Sequence, residues 1–297
     1  MITEPTSPPS GLASPSCCLS SFLDRVILGD NCETLAAMPA ESVDLVVTSP
    51  PYDDLRTYGG HSWDFPRLAD ELTRVLKPGG VIVWVAGDKT SSGCETLATM
   101  RQAIHFCDCC GLDVWDTMIW HKTCPSPGDG KYRYHDAMEY MVVISKGQPK
   151  TRNLIKDIPA RDAGITHVKT TDRRRDQSNV RKDRKAWVQP AMGCRTNVWS
   201  ITNGANDCDP VARDHPAIFP EKLAKDHVAT WSNPGDVVLD CFAGSGTTLK
   251  AAKELGRRFV GVEINPEYVA ICHKRLAQEV LNLFPDNSQA HPPEGSV

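Results

Sequence analysis

The sequence predicts an α/β fold built on a doubly wound, mostly parallel sheet. Three observations carry that prediction. Several short segments are apolar throughout, amphipathic helical segments alternate with them, and two apolar segments run straight into turns built from Pro or Gly. Strands that are apolar on both faces belong in a parallel sheet covered by helices on either side.

The elements follow in chain order. Val26-Ile27-Leu28 reads as a short buried strand ending at Gly29-Asp30. Asn31 to Ala40 reads as a helix, with Leu35 and Met38 on one face. Val43 to Thr48 is a second strand that enters Ser49-Pro50-Pro51-Tyr52. Pro66 to Leu76 is an amphipathic helix stopped by Pro78-Gly79-Gly80, and Val81 to Ala86 is a third strand. A helix over Leu97 to Cys110 precedes strand-like segments at Leu112 to Trp120 and Tyr140 to Ile144. From Lys146 to about Arg195 periodicity vanishes, and order returns at Asn197-Val198-Trp199. A helix near Glu221 to Ser232 leads to the strand Val237 to Asp240, which enters Cys241-Phe242-Ala243-Gly244-Ser245-Gly246-Thr247-Thr248. A helix to Leu255, a strand from Phe259 to Glu263 and a helix from Pro266 to Leu281 complete the ordered part. The ends, 1–24 and 285–297, read as disordered tails.

Composition narrows the function classes. No apolar run reaches the 18 or so residues that span a bilayer, and the stretch from Met1 to Ser21 has no Lys or Arg, so it lacks the basic front of a signal peptide. A cytoplasmic protein is expected. Of twelve cysteines, Cys107, Cys109 and Cys110 are the tightest cluster. Their spacing is not the paired C-x2-C of a zinc site, so buried reduced thiols and no metal are expected. The net charge of −4 conceals an asymmetry. Between Lys150 and Arg195 thirteen Lys or Arg face five Asp, +8, which leaves −12 for the rest. A basic segment in an acidic body points to a local polyanion contact.

Two motifs carry the chemistry. The glycine turn after Asp240 joins a strand to a helix, so it lets a ligand approach the backbone and offers free amide donors at the helix start. Glu263 closes the next strand, where an acid suits ribose hydroxyls. A nucleoside-containing ligand is expected there, and no phosphate-binding Gly-x4-Gly-Lys-[Ser/Thr] is present to indicate a triphosphate. The second motif, Thr48-Ser49-Pro50-Pro51-Tyr52, ends a parallel strand. Its prolines lack amide hydrogens, so that backbone only accepts. A Ser hydroxyl and a prolyl carbonyl aimed at one point suit an exocyclic amino group, and Tyr52 offers a face for a base taken out of its stack.

Together these residues resemble the amino-group DNA methyltransferases of bacterial and phage restriction-modification systems, in the permuted subgroup called beta. There the [Ser/Asp]-Pro-Pro-Tyr motif precedes the cofactor motif and the target-recognition region lies between them. The resemblance runs from about Val26 to Leu281. It includes Arg74 to Gly80, Ile119-Trp120-His121-Lys122, Glu139 to Lys146, Asn197-Val198-Trp199 and His215 to Leu223. It implies a seven-stranded class I methyltransferase sheet and S-adenosylmethionine as cofactor. It also implies a catalytic half at 25–146, a target-recognition insert at 147–196 and a cofactor half at 197–284.

Carried over by position, the resemblance has Ser49, Pro50, Pro51 and Tyr52 hold the target base. Asp240, Phe242, Ala243, Gly244, Ser245, Gly246, Thr247 and Thr248 form the cofactor turn. Glu263 faces the ribose, Asp30 faces the adenine, and Phe219, Pro220 and Lys222 pack beside the cofactor. Cys241 stands where the family more often has Pro, and a packing role is expected for it. Arg173, Arg174, Arg175, Arg181, Lys182, Arg184 and Lys185 are the expected contacts to double-stranded DNA. A cognate endonuclease and a homodimer are further partners in keeping with the resemblance. Ser before Pro-Pro-Tyr points to cytosine N4, with adenine N6 the alternative. An RNA or small-molecule methyltransferase has no evident need for the basic insert. A non-catalytic DNA-binding protein would be expected to lack Ser49, Tyr52 or the glycines.

Overall fold

The computed structural model describes residues 18–51, 63–126, 133–173, 179–202 and 220–278, with backbone alone at 125–126, 169–173 and 179–185. A short 3-10 turn (Leu19–Ser21) leads into β1 (Arg25–Leu28), α1 (Asn31–Ala37), β2 (Val43–Thr48), α2 (Phe65–Val75) and β3 (Leu76–Ala86). Two-residue strands β4 (Thr90–Ser91) and β5 (Cys94–Glu95) precede α3 (Ala98–Asp108), β6 (Asp113–Ser126) and β7 (Asp136–Ser145). The insert holds β8 (Ile158–Pro159), β9 (Thr166–Arg173), β10 (Asn179–Val188) and β11 (Met192–Gly193). β12 (Val198–Ile201), α4 (Glu221–Trp231), β13 (Val237–Asp240), α5 (Thr247–Glu254), β14 (Arg258–Glu263) and α6 (Pro266–Leu276) follow.

One eight-stranded sheet runs β1-β14-β13-β2-β3-β7-β6-β12. β7 is antiparallel to both neighbours, and every other pairing is parallel. The expected α/β, mostly parallel sheet is thus present with eight strands in place of seven. The additional strand is β12, which extends the edge by pairing with β6, and Trp120 Nε1 donates to Ile201 O at 2.9 Å across that pair.

The strands read as apolar runs because alternate residues enter two different cores. Val46, Ile82 and Trp84 pack with Leu35, Leu68, Leu72 and Phe106 from α1, α2 and α3. Leu45, Val47, Val81, Val83 and Val85 pack with Leu223, Val228, Leu249 and Cys272 from α4, α5 and α6. Helices start where the sequence supplies acceptors: Asp30, Asp64 and Asn265 accept from the amides of Glu33, Arg67 and Glu267. No described helix is long and apolar enough to cross a membrane.

Several expectations change. Order begins before residue 25, since Phe22 is buried and Asp24 N donates to Phe259 O at 2.6 Å. Pro78-Gly79-Gly80 does not separate two elements but lies within β3. Gly79 N donates to Lys146 O and Lys146 N to Gly80 O, so the end of β7 captures the turn. The aperiodic insert contains an antiparallel hairpin, β9 with β10, whose register slips between Arg181 and Lys185. The cysteines after Phe106 are not buried: Cys109 is exposed and Cys107 and Cys110 are half-buried, because α3 ends there and only Phe106 and Leu112 turn inward.

Candidate active site

β2 and β13 lie side by side in parallel, with Leu45 opposite Val238 and Val46 opposite Leu239. Their carboxyl ends therefore release the two motifs at one edge of the sheet. The chain leaves β13 through α5 toward β14, and leaves β2 through α2 toward β3, on opposite faces. The gap between the two ends is a topological switch point, where open α/β sheets place ligands.

The motifs are bonded to each other at their roots. Thr48 Oγ1 donates to Asp240 Oδ1 at 2.7 Å, and Thr248 Oγ1 donates to Val47 O at 3.2 Å. Asp240 Oδ1 also accepts from Phe242 N at 3.1 Å. Burial raises the Asp240 carboxyl to about 6, against the pull of these donors. Beyond Thr48, Ser49 and Pro51 are half-buried and Pro50 is buried; Tyr52 lies outside the described residues.

Backbone geometry shapes the turn. Gly244 and Gly246 have φ of 50° and 79°, the left-handed region that glycine enters without a steric cost. A Cβ on Gly246 would stand 3.0 Å from Cys272 Sγ, so α6 packs directly beneath the turn. Cys272 Sγ donates to Gly244 O at 3.0 Å, and burial pushes its thiol up to about 12. Gly246 is the N-cap of α5, placing that helix's N-terminus at the turn. Asp240, Ala243, Ser245, Thr247 and Thr248 are buried, and Phe242 is half-buried with Trp63 edge-on at 5.2 Å.

Glu263 ends β14 beside the turn. Its carboxylate oxygens accept from Gly244 N at 2.8 Å and Asn265 N at 2.9 Å, which fixes their orientation. Gly29 N donates to Glu263 O at 3.0 Å, so Asp30 follows at the end of the neighbouring strand, where it caps α1. Along the edge the order is Asp30, Glu263, the glycine turn and Ser49-Pro50-Pro51. Three interstrand steps of about 4.8 Å set these groups over roughly 14 Å.

Other expected residues are placed less directly. Pro220 is buried at the start of α4, and Phe219 lies outside the described residues. Lys222 Nζ pairs with Asp226 at 3.0 Å along α4, and it is Glu221 whose carboxylate meets the groups under the turn. Arg174 and Arg175 lie outside the described residues, while Arg173 ends β9 and Arg181, Lys182, Arg184 and Lys185 lie on β10. Cys241 is buried and its Sγ donates to Thr48 Oγ1 at 3.7 Å; desolvation pushes its thiol well above the ordinary range. Such a thiol packs and does not attack. Among the described residues no group of His, Cys, Asp and Glu is arranged to hold a metal.

Sequence reasoning assigned no role to Thr48, Glu221 or Arg275. Thr48 and Glu221 stood inside quoted segments, whereas nothing local marks Arg275. Asn31 was likewise missed; it is buried, and its Nδ2 donates to Cys241 O at 3.4 Å.

The chain is similar to several known DNA methyltransferases. The orphan methyltransferase M.BamHII of Bacillus amyloliquefaciens is 47% identical over 243 residues, covering 81% of this chain and 91% of its own. The fold is similar to that of the PvuII cytosine-N4-specific DNA methyltransferase, with TM-score 0.61 and 23% identity over 88% of this chain and 86% of that one. A putative DNA modification methylase of Thermus thermophilus, TTHA0409, solved with S-adenosyl-L-methionine, superposes with TM-score 0.56 and 30% identity, covering 85% of this chain and 93% of that one. Residues 43–274, from the strand that precedes Ser49 to the helix beneath the glycine turn, match the N6/N4 DNA methylase family, and the chain belongs to it.

Proposed function

We propose that this chain transfers a methyl group from S-adenosylmethionine to N4 of cytosine at a specific site in double-stranded DNA. Membership of the family makes it a DNA amino-methyltransferase that uses this cofactor. The base and the residue roles are our reading. The observation that carries it is the 2.7 Å hydrogen bond from Thr48 to Asp240, which joins the roots of two motifs 192 residues apart. Ser49 in the acceptor position supports cytosine.

The residues present fit the cofactor. Glycine at 246 takes the left-handed φ that shapes the turn and seats it closely on α6, and the N-terminus of α5 opens onto the turn. The fixed carboxylate of Glu263 suits ribose hydroxyls, with Asp30 beyond it for the adenine. Phe242, Gly244, Gly246 and Thr247 would line the methionine end, and Phe219, Pro220 and Lys222 would flank it. When bound, the cofactor supplies an electrophilic methyl group on its sulfonium.

The chain's own contribution is orientation. Ser49 Oγ and the Pro50 carbonyl accept from the amino hydrogens of the flipped base. Those contacts favour the pyramidal nitrogen whose lone pair attacks, so they strengthen toward the transition state. Pro51 stiffens the backbone, and Tyr52 stacks on the base. Alignment of nitrogen and methyl supplies much of the remaining rate. The insert at 147–196 is proposed as the target-recognition region, with the β9–β10 hairpin carrying its cations along the duplex. A two-stranded ribbon fits the major groove. As M.BamHII is an orphan methyltransferase, an orphan role without a companion endonuclease is the setting we favour.

Incubation with labelled S-adenosylmethionine and duplex DNA of varied sequence, followed by digestion to nucleosides, tests this. Label in N4-methylcytosine is the expected result. Label in N6-methyladenine overturns the base assignment, and absence of label overturns the reading as a whole.

A further inference from the structure

Arg275 lies in the last turn of α6 and is 1% exposed. Its Nη1 donates to Ser245 O at 2.7 Å, Ser245 Oγ at 3.0 Å and Thr247 Oγ1 at 2.9 Å. Its Nη2 donates to Glu221 Oε1 at 2.9 Å, and Lys250 of α5 reaches the same oxygen at 3.2 Å. Cys272, three residues earlier and so on the same helical face, donates to Gly244 O. One helix thus grips the glycine turn from beneath at three positions, 244, 245 and 247, which bracket Gly246. The same guanidinium reaches the first residue of α4.

Packing alone does not require this arrangement. Burying a guanidinium costs desolvation free energy that a methionine of similar reach avoids, and well-packed apolar replacements of buried ion pairs are often as stable. What the planar fork adds is direction, because it fixes two acceptor sets at once. The turn also needs such restraint: Gly244 and Gly246 are its most freely rotating residues, and their left-handed φ values define its shape.

We propose that Arg275 and Glu221 are positioning residues, which hold the glycine turn in the conformation that receives the cofactor and make that conformation depend on the start of α4. Arg275 acts through Ser245 and Thr247, and Glu221 acts through Arg275. The inference rests on reading this turn as the S-adenosylmethionine site.

Calorimetric titration of the full chain with S-adenosylhomocysteine tests it in wild type, Arg275→Lys, Arg275→Met, Glu221→Gln and the Arg275→Lys/Glu221→Gln double variant. Arg275→Lys keeps the charge but not the fork, and Glu221→Gln keeps an acceptor but not the charge. Each single variant should bind about tenfold more weakly, the loss expected for one charge-assisted hydrogen bond. The double variant should lose little more than either alone, because the two act as one unit. Affinity for duplex DNA without cofactor should stay near wild type in all of them. Arg275→Met should bind still more weakly; if it does not fold, the other three variants decide. Unchanged affinity in both single variants, fully additive losses, or an equal loss of DNA binding would each overturn the proposal. If wild type itself does not bind S-adenosylhomocysteine, the reading of the turn fails, and the proposal falls with it.

Discussion

Asp240 couples the site to pH in a way that can be measured. Its carboxyl is raised from an ordinary 3.8 to about 6, chiefly by burial. In the unfolded chain it loses its proton near the ordinary value, whereas the folded chain keeps it to higher pH. The stabilising contribution is therefore complete below about 4 and is lost as pH rises through 6. A displacement from 3.8 to about 6 corresponds to about 3 kcal/mol in total. About half of that is lost between about pH 5 and pH 8.

Asp240→Asn removes the titration and can keep the local bonds. The amide oxygen accepts from Thr48 Oγ1 and Phe242 N as Oδ1 does, and the Thr248 hydroxyl stands close enough to receive the amide hydrogens. Urea unfolding of both proteins, followed by tryptophan fluorescence at several pH values, gives the difference in stability directly. The variant should gain on wild type by about 1 kcal/mol between about pH 5 and pH 8. A difference that stays flat over that range would refute the claim that burial governs this carboxyl.

Three other predictions follow from the same geometry. Gly246→Ala forces a side chain into left-handed backbone, which costs about 1–2 kcal/mol, and sets its Cβ against Cys272 Sγ. Unfolding should show that loss together with weaker S-adenosylhomocysteine binding, and adding Cys272→Ala should restore only part of it. His227 is fully buried, stacks on Trp199 at 4.6 Å and has its pKa lowered to about 3 by desolvation, so it folds neutral. Its contribution is complete above about 6.5 and is lost as pH falls toward 3; His227→Phe should lose about 2 kcal/mol less than wild type between about pH 7 and pH 5 in the same unfolding assay. Replacing Arg173, Arg174 and Arg175 by Ala should weaken duplex binding and flatten its log–log salt slope by about 2.7, the value for three lost phosphate contacts, as read by fluorescence anisotropy.

What the sequence disclosed and what it hid have separate physical causes. β2, β3, β13 and β14 announce themselves because both faces are buried, so nearly every residue is apolar. The Pro-Pro and glycine turns are equally legible, since those residue types constrain or free the backbone locally. β9 and β10 escape notice because the hairpin is a separate two-stranded ribbon, and Val168, Trp187 and Val188 stay exposed on it. Without a core to bury, it carries no hydrophobic period. Arg275 is hidden for the opposite reason. A basic residue in the last turn of a helix is ordinary on dipole grounds alone, and only its burial reveals another task. Thr48 is hidden by distance, because its partner Asp240 lies 192 residues further along.

α4 explains how the basic insert can belong to the same machine as the glycine turn. β7 runs antiparallel to β3, so the insert departs from the edge of the sheet opposite the site, with Ser145 level with Val81. It is then fastened along α4. Asn153 Nδ2 donates to Ala229 O and Ser232 O near the helix's end, and Arg195 Nη1 meets Asp226 Oδ2 at 2.6 Å nearer its start. Arg195 also holds Asp157 within the insert and sits 5.3 Å over the Trp199 ring. One of the thirteen cations counted in the insert is therefore committed to two carboxylates and serves the fold, not a phosphate. At its first residue the same helix presents Glu221 to Arg275, beneath the glycine turn. The insert and the turn are thus both fastened to α4, although they lie far apart along the chain.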